Sequence, residues 1–244
     1  TRILSSAASD VYKRQVLATA VNVIARAEAP LPLGVTDSVN VELDTRLDNR
    51  FLDLRRAHVN AMFRLRGKVL QFGREHLISE GFLETHTPKI VATATEGGAD
   101  LFPMQYFDRP AFLNQSPQLF KQLCMSGGLE RVFEIGPAFR AEKSDTYRHL
   151  AEFISFDIEC SWANDDDVMG VLERMLHHIW KSVAEEKESQ DLIATINAYR
   201  AEQGEEPVEV IVPELPFPRV EYDDAIRIIN CLLYTSDAAD DRMR

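Results

Sequence analysis

The chain has 244 residues, of which 45% are hydrophobic, and it carries a formal net charge of −12 at pH 7. An acidic chain has little bulk affinity for phosphate, so a nucleic-acid partner would need a local basic surface or further parts of the protein. No apolar run reaches the roughly 18 residues of a membrane span, and nothing resembles a signal peptide. The few cysteines lack metal-ligand spacing, and this cysteine usage suits a reducing cytoplasm.

The two ends of the chain share an unusual property. Residues 5–15 (SSAASDVYKRQ) and 231–241 (CLLYTSDAADD) can be encoded by opposite strands of one oligonucleotide, which resembles a common transposase sequencing adapter. We therefore expect residues 1–15 and 231–244 to be translated adapter sequence, with two genuine tails as the alternative. The ends carry +2 and −1, so the remaining chain carries −13.

The first native segment is rich in β-branched residues. Residues 16–27 predict a strand, and the sequence APLPLG at 29–34 then breaks regular structure. A strand without nearby partners suggests the end of a preceding domain, with an edge strand of the main domain as the alternative. Residues 44–56 alternate acids and arginines around Leu47, Phe51 and Leu54, which predicts a short packed connector.

Residues 57–79 carry apolar side chains at helical spacing, and Gly81 follows as a stop signal. Residues 82–88 then predict a strand that ends at Pro88. The segment 93–101 (TATEGGADL) has two glycines and few anchors, which predicts a mobile surface loop. On composition alone, Glu96 in that loop is a solvated acid.

A second helix is predicted to begin at Ser116 as N-cap, with Pro117 in the first helical position. Gln118 and Lys121 lie three residues apart, so both can project from one side of this helix. An ammonium beside an amide suits a substrate carboxylate, because one supplies charge and the other fixes orientation. For the residue alone, a surface lysine without function is the alternative.

Residues 133–159 organise the chain as a strand, a charged loop with a turn at 144–145, and a second strand. A period of two predicts one packed face, formed by Ile154, Phe156, Ile158, Cys160 and Trp162. It predicts one polar face, formed by Ser155, Asp157, Glu159 and Ser161. A cluster that could meet a polyanion lies between the strands and contains Arg140, Glu142, Lys143, Arg148 and His149. A solvated hairpin is the alternative.

Further helices and strands are predicted in the last part of the chain. Residues 168–188 predict a helix with an apolar stripe, on which His177 and His178 are ordinary helix residues rather than metal ligands. Residues 165–167 are three aspartates, expected to favour that helix N-terminus rather than bind a cation. Residues 191–204 predict a shorter helix, residues 208–212 a strand, and residues 213–230 a proline-rich approach, a short strand and the start of a helix.

The central hairpin resembles motif 2 of the class II aminoacyl-tRNA synthetases. The matching residues are Phe139, Arg140 and Glu142, followed after a short loop by His149, Phe153 and Asp157. Residues 81–90 (GFLETHTPKI) resemble motif 1 with its proline. The stretches TEGGADLF, QSPQLFKQ and LDTRLDNRFLDLR resemble the aspartate-specific branch in its archaeal and eukaryotic-cytosolic form. The resemblance covers residues 16–230.

The resemblance implies an α+β fold, with an antiparallel sheet flanked by helices. It implies that residues 16–40 are the end of an OB-fold anticodon-binding domain with its hinge, and residues 41–230 a partial catalytic domain. Motif 3, with its strand and helix, lies beyond residue 230, as do the ligands of Mg²⁺, so none of the metal ligands is expected within the fragment. The fragment by itself is therefore expected to be inactive.

The implied activity joins L-aspartate to ATP to form aspartyl-adenylate, then transfers the aspartyl group to the 3′ end of tRNA(Asp), with tRNA(Asn) left open as a second substrate. The family also implies a cytoplasmic homodimer, with Pro88 at its interface, and no membrane partner. Two alternatives remain open: a class II-like asparagine synthetase, which lacks the anticodon domain, and a non-catalytic paralogue that binds a partner.

The resemblance assigns site residues by position. Arg140 is the catalytic residue, because it would contact the α-phosphate of ATP and bridge both reactants. The residues implied for aspartate are Glu96, Ser116, Gln118, Lys121, Arg140 and Asp157. The residues implied for ATP are Arg140, Glu142, Arg148, His149, Leu150 and Phe153. Asparagine-specific relatives carry SGQL where this chain has SPQLFK, so Lys121 favours an acid over an amide.

Overall fold

The computed structural model describes residues 19–35, 41–93, 101–141, 143, 146 and 149–230. The chain divides into two compact units, one ending at Arg56 and the other beginning at Ala57. The predicted adapter sequences, the turn at 144–145 and most of the glycine loop lie outside the described residues. No described helix has the length and apolar character needed to cross a lipid bilayer.

Among its described residues, the first unit contains two short helices, α1 (Leu43–Asp48) and α2 (Arg50–Asp53). They are joined by Asp53, whose buried carboxylate lies 2.8 Å from both Arg46 Nε and Arg50 Nη1. Burial acts to raise the pKa of Asp53, but the two arginines outweigh it and hold the pKa below its usual value.

Two predictions for the first unit were wrong. Residues 19–27, the described part of the predicted strand, form no strand. A lone strand has no ladder partner for its backbone groups, so β-branched composition alone does not hold it. The predicted packed connector is helical, and of its three apolar side chains Leu54 is half-buried, whereas Leu47 and Phe51 are 48% and 69% exposed.

The second unit begins with the long helix α3 (Ala57–Ser79). Gly81 ends it as predicted, with a φ of 84° that favours glycine. The turn is closed by the Phe82 N–H, which donates to the Leu77 carbonyl, and by the Gly81 N–H, which donates to the Ile78 carbonyl. This tight turn directs the chain from the helix into the first strand.

In the part of the second unit that the structure describes, the strands form two three-stranded sheets, which confirms the α+β class. In the first sheet, β1 (Leu83–Glu84) pairs in parallel with β5 (Arg131–Phe139), and β5 pairs antiparallel with β6 (Glu152–Cys160). The predicted strand 82–88 is therefore shorter than expected. In the second sheet, β4 (Arg109–Leu113) lies between β2 (Ile90–Val91) and β3 (Pro103–Tyr106). Helix α4 (Gln118–Ser126) connects β4 to β5.

The core lies between α3, β5 and helix α5 (Asp165–Glu185). Its buried side chains are Phe72, Leu77, Phe82, Phe133, Ile135, Val171, Met175, Ile179 and Val183. From β6, Phe156, Ile158 and Cys160 pack against this cluster, as the period of two predicted. The other two residues of the predicted packed face do not join them: Ile154 is 38% exposed on β6, and Trp162 lies beyond the end of β6 at Cys160, with a φ of 58° and 93% exposure.

The C-terminal elements differ from the prediction mainly at their boundaries. Helix α5 begins at Asp165, where Asn164 and Asp167 form a reciprocal capping box, so the aspartates start the helix as expected. The predicted helix 168–188 is split, because Glu186 is extended and α6 (Lys187–Glu202) begins after it. Residues 205–221 contain no strand, so the predicted strand at 208–212 and the short strand predicted within 213–230 were both wrong. Residues 222–230 are helical, as predicted for the end of that segment.

Candidate active site

The two long strands β5 and β6 present one polar face on the side opposite the core. Residues directly across an antiparallel pair point to the same face, and Glu134, Gly136 and Ala138 lie opposite Asp157, Ser155 and Phe153. The ladder continues one step further, since the Arg140 N–H donates to the Ala151 carbonyl at 2.9 Å. The polar face predicted from sequence is therefore formed, and it includes Arg140 at one end.

Arg140 lies beside the ring of Phe153. The guanidinium carbon is 5.4 Å from the ring centroid, within the range of a cation–π contact. Arg140 is exposed, whereas Phe153 is half-buried. The strand end therefore offers a guanidinium and an aromatic ring side by side, the groups that bind a phosphate and stack on a base.

Lys121 lies further along the same face and is almost completely buried. Its side chain is 2% exposed, and Nζ lies 2.6 Å from Asp157 Oδ1, 2.9 Å from the Ile158 carbonyl and 3.3 Å from Glu159 Oε2. These contacts match the three N–H donors of an ammonium. Lys121 thus fixes helix α4 to strand β6 on the face that carries Arg140.

The start of α4 places two other predicted residues. Gln118 Nε2 lies 3.4 Å from Glu159 Oε2, so Gln118 and Lys121 project from one side of the helix as predicted. The helix begins at Gln118, one residue later than predicted, and Pro117 rather than Ser116 is its N-cap. Ser116 still satisfies a helical donor, because its Oγ accepts from the Gln118 N–H at 3.1 Å.

Two carboxylates complete this face and were not predicted as site residues, although Glu159 was predicted to lie on the polar face. Glu159 contacts both Lys121 and Gln118, and its position two residues after Asp157 was the available signal. Glu134 is 2% exposed and accepts hydrogen bonds from Lys89 Nζ and from Thr87 Oγ1. Nothing local in the sequence indicated that contact, because Lys89 and Glu134 meet only when β1 pairs with β5.

The described charges on this face balance. Lys89, Lys121 and Arg140 are the cations, and Glu134, Asp157 and Glu159 are the anions. Each buried cation is paired with a buried or half-buried carboxylate, which limits the cost of removing these charges from water. A ligand that carries one positive and one negative charge, such as an amino acid, can therefore replace an ion pair on this face without leaving a net buried charge.

The remaining predicted site residues are either outside the described residues or exposed. Glu96, Glu142 and Arg148 lie outside the described residues. His149 is exposed, with Nδ1 at 2.6 Å from Thr146 Oγ1, and Leu150 is 60% exposed. The role of Glu96 in binding aspartate and the roles of the other four residues in binding ATP remain predictions.

Pro88 lies just before β2, and its carbonyl accepts from Asn114 Nδ2 at 3.0 Å. Its place in a dimer interface also remains a prediction. Within the described ranges, no group of three or more His, Cys, Asp or Glu side chains is placed to hold a metal ion.

Comparison with known proteins places the chain in a family. Residues 42–244 match the family model for tRNA synthetases class II (D, K and N). The aspartate–tRNA(Asp/Asn) ligase of Archaeoglobus fulgidus is 52% identical over 214 residues, which cover 88% of this chain and 47% of that protein. The aspartate–tRNA(Asp) ligase of Thermoplasma volcanium is 48% identical over 215 residues, with the same coverage of 88% and 47%.

A solved structure of known identity has a similar fold. Asparaginyl-tRNA synthetase of Pyrococcus horikoshii, complexed with asparaginyl-adenylate, superimposes with a TM-score of 0.66 and 33% identity, over 78% of this chain and 42% of that one. The chain spans about half the length of the curated relatives that it matches, at 47% for both ligases. Both the sequence match and the fold lead to one conclusion: the chain belongs to the class II tRNA synthetases of the D, K and N group.

Proposed function

We propose that this chain is part of an aspartate–tRNA ligase, which activates L-aspartate with ATP and transfers it to the 3′ end of tRNA(Asp). The observation that carries the proposal is that Lys121, a buried ammonium, and Arg140, an exposed guanidinium, share one face of the β5–β6 sheet. Asp157, the partner of Lys121, and Phe153, the partner of Arg140, lie four residues apart on β6, about 13 Å along the strand. An amino acid joined to a nucleotide would bridge that distance.

The first reaction step needs no nucleophile from the protein. The α-carboxylate of aspartate attacks the α-phosphorus of ATP, and pyrophosphate leaves. Catalysis then rests on orienting the two substrates and on stabilising the negative charge that builds at phosphorus. Arg140 supplies a fixed positive charge for that purpose, and Phe153 supports the guanidinium and offers a ring for the base.

The ion pair of Lys121 and Asp157 matches the charges of an acidic amino acid. Asp157 can accept the substrate ammonium, and Lys121 can bind the substrate side-chain carboxylate. Asparagine would present an amide to that ammonium and would leave part of its charge uncompensated. Sites of this kind discriminate strongly, because unpaired buried polar groups are costly.

A second candidate is activation of asparagine, favoured by the fold similarity to the archaeal asparaginyl-tRNA synthetase. Lys121 argues for the acid, and so do the names of the two ligases, both aspartate-specific. Those names differ in the tRNA, so charging of tRNA(Asn) in addition to tRNA(Asp) stays open. A class II-like asparagine synthetase and a non-catalytic paralogue are also distinguished from the ligase by exchange and charging assays.

The homodimer is part of the proposal and is supported by an apolar cleft beside Pro88. The cleft has a volume of about 420 Å³ and is lined by Thr85, His86, Thr87, Pro88, Phe120, Leu123, Cys124, Gly127 and Leu129. Leu123 is 65% exposed at its edge. Apolar surface of this kind is typical of subunit contacts. Sedimentation of the full-length protein tests it: we expect a dimer that Leu123→Glu weakens, and a wild-type monomer would contradict it.

The activity is tested by ATP–pyrophosphate exchange with the full-length protein that contains this chain. We expect exchange that depends on aspartate and is at least a hundredfold slower with asparagine, on the order of the discrimination that polar sites achieve. Faster exchange with asparagine would support the second candidate, and no exchange with either would favour the paralogue. Charging assays with tRNA(Asp) and tRNA(Asn) then define the acceptor and exclude an asparagine synthetase.

A further inference from the structure

Asn114 is a buried polar residue that the proposed mechanism does not use. It follows β4 directly, and its side chain is 1% exposed. The backbone N–H donates to the Lys89 carbonyl at 2.9 Å, and the backbone carbonyl accepts from the Phe139 N–H at 3.1 Å. The side chain uses both ends of its amide: Nδ2 donates to the Pro88 carbonyl at 3.0 Å, and Oδ1 accepts from the Ser116 N–H at 3.1 Å.

These four hydrogen bonds join three separate parts of the second unit. Pro88 and Lys89 lead into β2 of the second sheet. Phe139 is the last residue of β5 and precedes Arg140. Ser116 accepts a hydrogen bond from the Gln118 N–H at the start of helix α4, which carries Lys121. Asn114 is therefore the point where the strand end that holds the guanidinium and the helix that holds the ammonium are both fixed.

The two side-chain hydrogen bonds require one donor and one acceptor on the same short side chain. Asparagine provides both, whereas aspartate lacks the N–H donor and alanine lacks both groups. A buried amide with hydrogen bonds at both ends favours one local backbone geometry. Leaving its buried partners without hydrogen bonds lowers the stability of the fold. The same pairing also assigns the orientation of the amide, because the reverse orientation would place Nδ2 against the Ser116 N–H.

We propose that Asn114 is a positioning residue for adenylate formation, which rests on the function proposed above. Its side chain holds Ser116 and Pro88 in place around the residue whose backbone carbonyl binds the Phe139 N–H, and so sets the spacing between Lys121 and Arg140, without touching either substrate. Loss of its side chain would leave both binding groups present but misaligned. Misalignment on the order of 1 Å lowers the rate of a chemical step about a hundredfold. Because each substrate keeps its own contacts, KM changes much less than kcat.

The test compares Asn114→Ala and Asn114→Asp with Ser189→Ala in the full-length protein. Ser189 is the matched control: it is 0% exposed and donates a part-buried hydrogen bond to Glu186 at 2.6 Å, away from the polar face. The measurements are kcat and KM for ATP and for aspartate in pyrophosphate exchange, together with the melting temperature Tm of each variant.

We expect Asn114→Ala to lower kcat at least tenfold, with both KM values within about threefold of wild type. Asn114→Asp keeps the acceptor for Ser116 and should lie between alanine and wild type. Ser189→Ala should lower Tm and leave kcat unchanged, which separates positioning from stability.

A folded Asn114→Ala with kcat within twofold of wild type would overturn the proposal and leave the proposed function intact. If that variant does not fold, Asn114→Asp decides by the same criterion, and failure of both to fold would show a purely structural role. An equal loss of kcat in Ser189→Ala would also overturn it. A wild-type protein without exchange would overturn the proposed function and this inference together.

Discussion

Lys121 and Asp157 form an ion pair with an Nζ–Oδ1 distance of 2.6 Å, in which the ammonium is 2% exposed and the carboxylate 24% exposed. A ligand therefore approaches the ammonium past the carboxylates of β6. The ammonium donors are already directed at Asp157, the Ile158 carbonyl and Glu159. A substrate carboxylate must share or replace one of these contacts, so occupancy of this pocket is coupled to the position of Asp157.

Lys121→Met should weaken the preference for aspartate over asparagine, because the cation that pairs with the acidic side chain is lost. It should also lower the free energy of unfolding by up to about 3 kcal/mol, the low end for a broken buried pair, since the carboxylates keep some exposure. Lys68→Met is the matched control, with Nζ at 2.6 Å from Glu186 and 2.8 Å from Glu188, away from the polar face. Pyrophosphate exchange with each amino acid checks the result, and unchanged selectivity in Lys121→Met would contradict it.

Arg140→Ala should slow adenylate formation by a factor of about 100 to 1,000, corresponding to about 2.7–4 kcal/mol of lost transition-state binding, by analogy with removal of one oxyanion donor. Arg140→Lys keeps the charge but not the planar fork, so it should recover only part of the rate. Arg131→Ala, at the opposite end of β5, is the control and should keep the rate. Exchange near the wild-type rate in Arg140→Ala would refute the assignment.

Gly73→Ala should destabilise the fold, because α3 crosses close to the back of β6 at this position. A Cβ on Gly73 would lie 2.6 Å from the Phe156 ring, which is part of the packed core face. Relieving such an overlap typically has a cost of about 1–3 kcal/mol. Gly67→Ala on the same helix meets nothing within 4 Å and should stabilise the helix by up to about 1 kcal/mol. Denaturant unfolding measures both, and equal stability of the two variants would contradict the packing.

The stability of the second unit should fall as the pH drops below about 6.5, because of His76. Burial lowers the pKa of His76 below its usual value, and the nearby Glu80 only partly opposes this effect. His76 Nε2 is 3.2 Å from Glu80 Oε1 but is not aligned for a hydrogen bond; on α5, Arg174 and His178 are the other charged or titratable neighbours.

The direction of this pH dependence of stability follows from the proton uptake of the folded and unfolded states. The unfolded state binds the His76 proton at a higher pH than the folded state, so protons favour unfolding between the two pKa values. Arg174 lowers the pKa of Glu80, so the contribution of Glu80 is lost only below about pH 4.5 and falls in a separate window. The slope from His76 should not exceed about 1.4 kcal/mol per pH unit, the limit for one proton. His76→Leu should remove it, and an unchanged slope between pH 5.5 and 6.5 would contradict this account.

Much of the site could be predicted because its signals are local. Alternation on β6 identified the polar face with Asp157, and spacing on α4 placed Gln118 and Lys121 on one side. The failures share a cause: strands at 16–27 and 208–212 were predicted from β-branched composition, which forms a strand only where a partner is present. The contacts of Asn114 with Pro88 and Phe139, and of Glu134 with Lys89, arise from strand topology and have no local sequence signal.

The central claim is that Arg140 and Lys121 bind the two ends of a single ligand. Calorimetric titration of the full-length protein with a non-hydrolysable sulfamoyl analogue of aspartyl-adenylate tests it most directly. We predict tight binding to the wild type and an affinity loss of at least tenfold in both Arg140→Ala and Lys121→Met. Wild-type affinity in either variant would show that the two side chains do not serve one site.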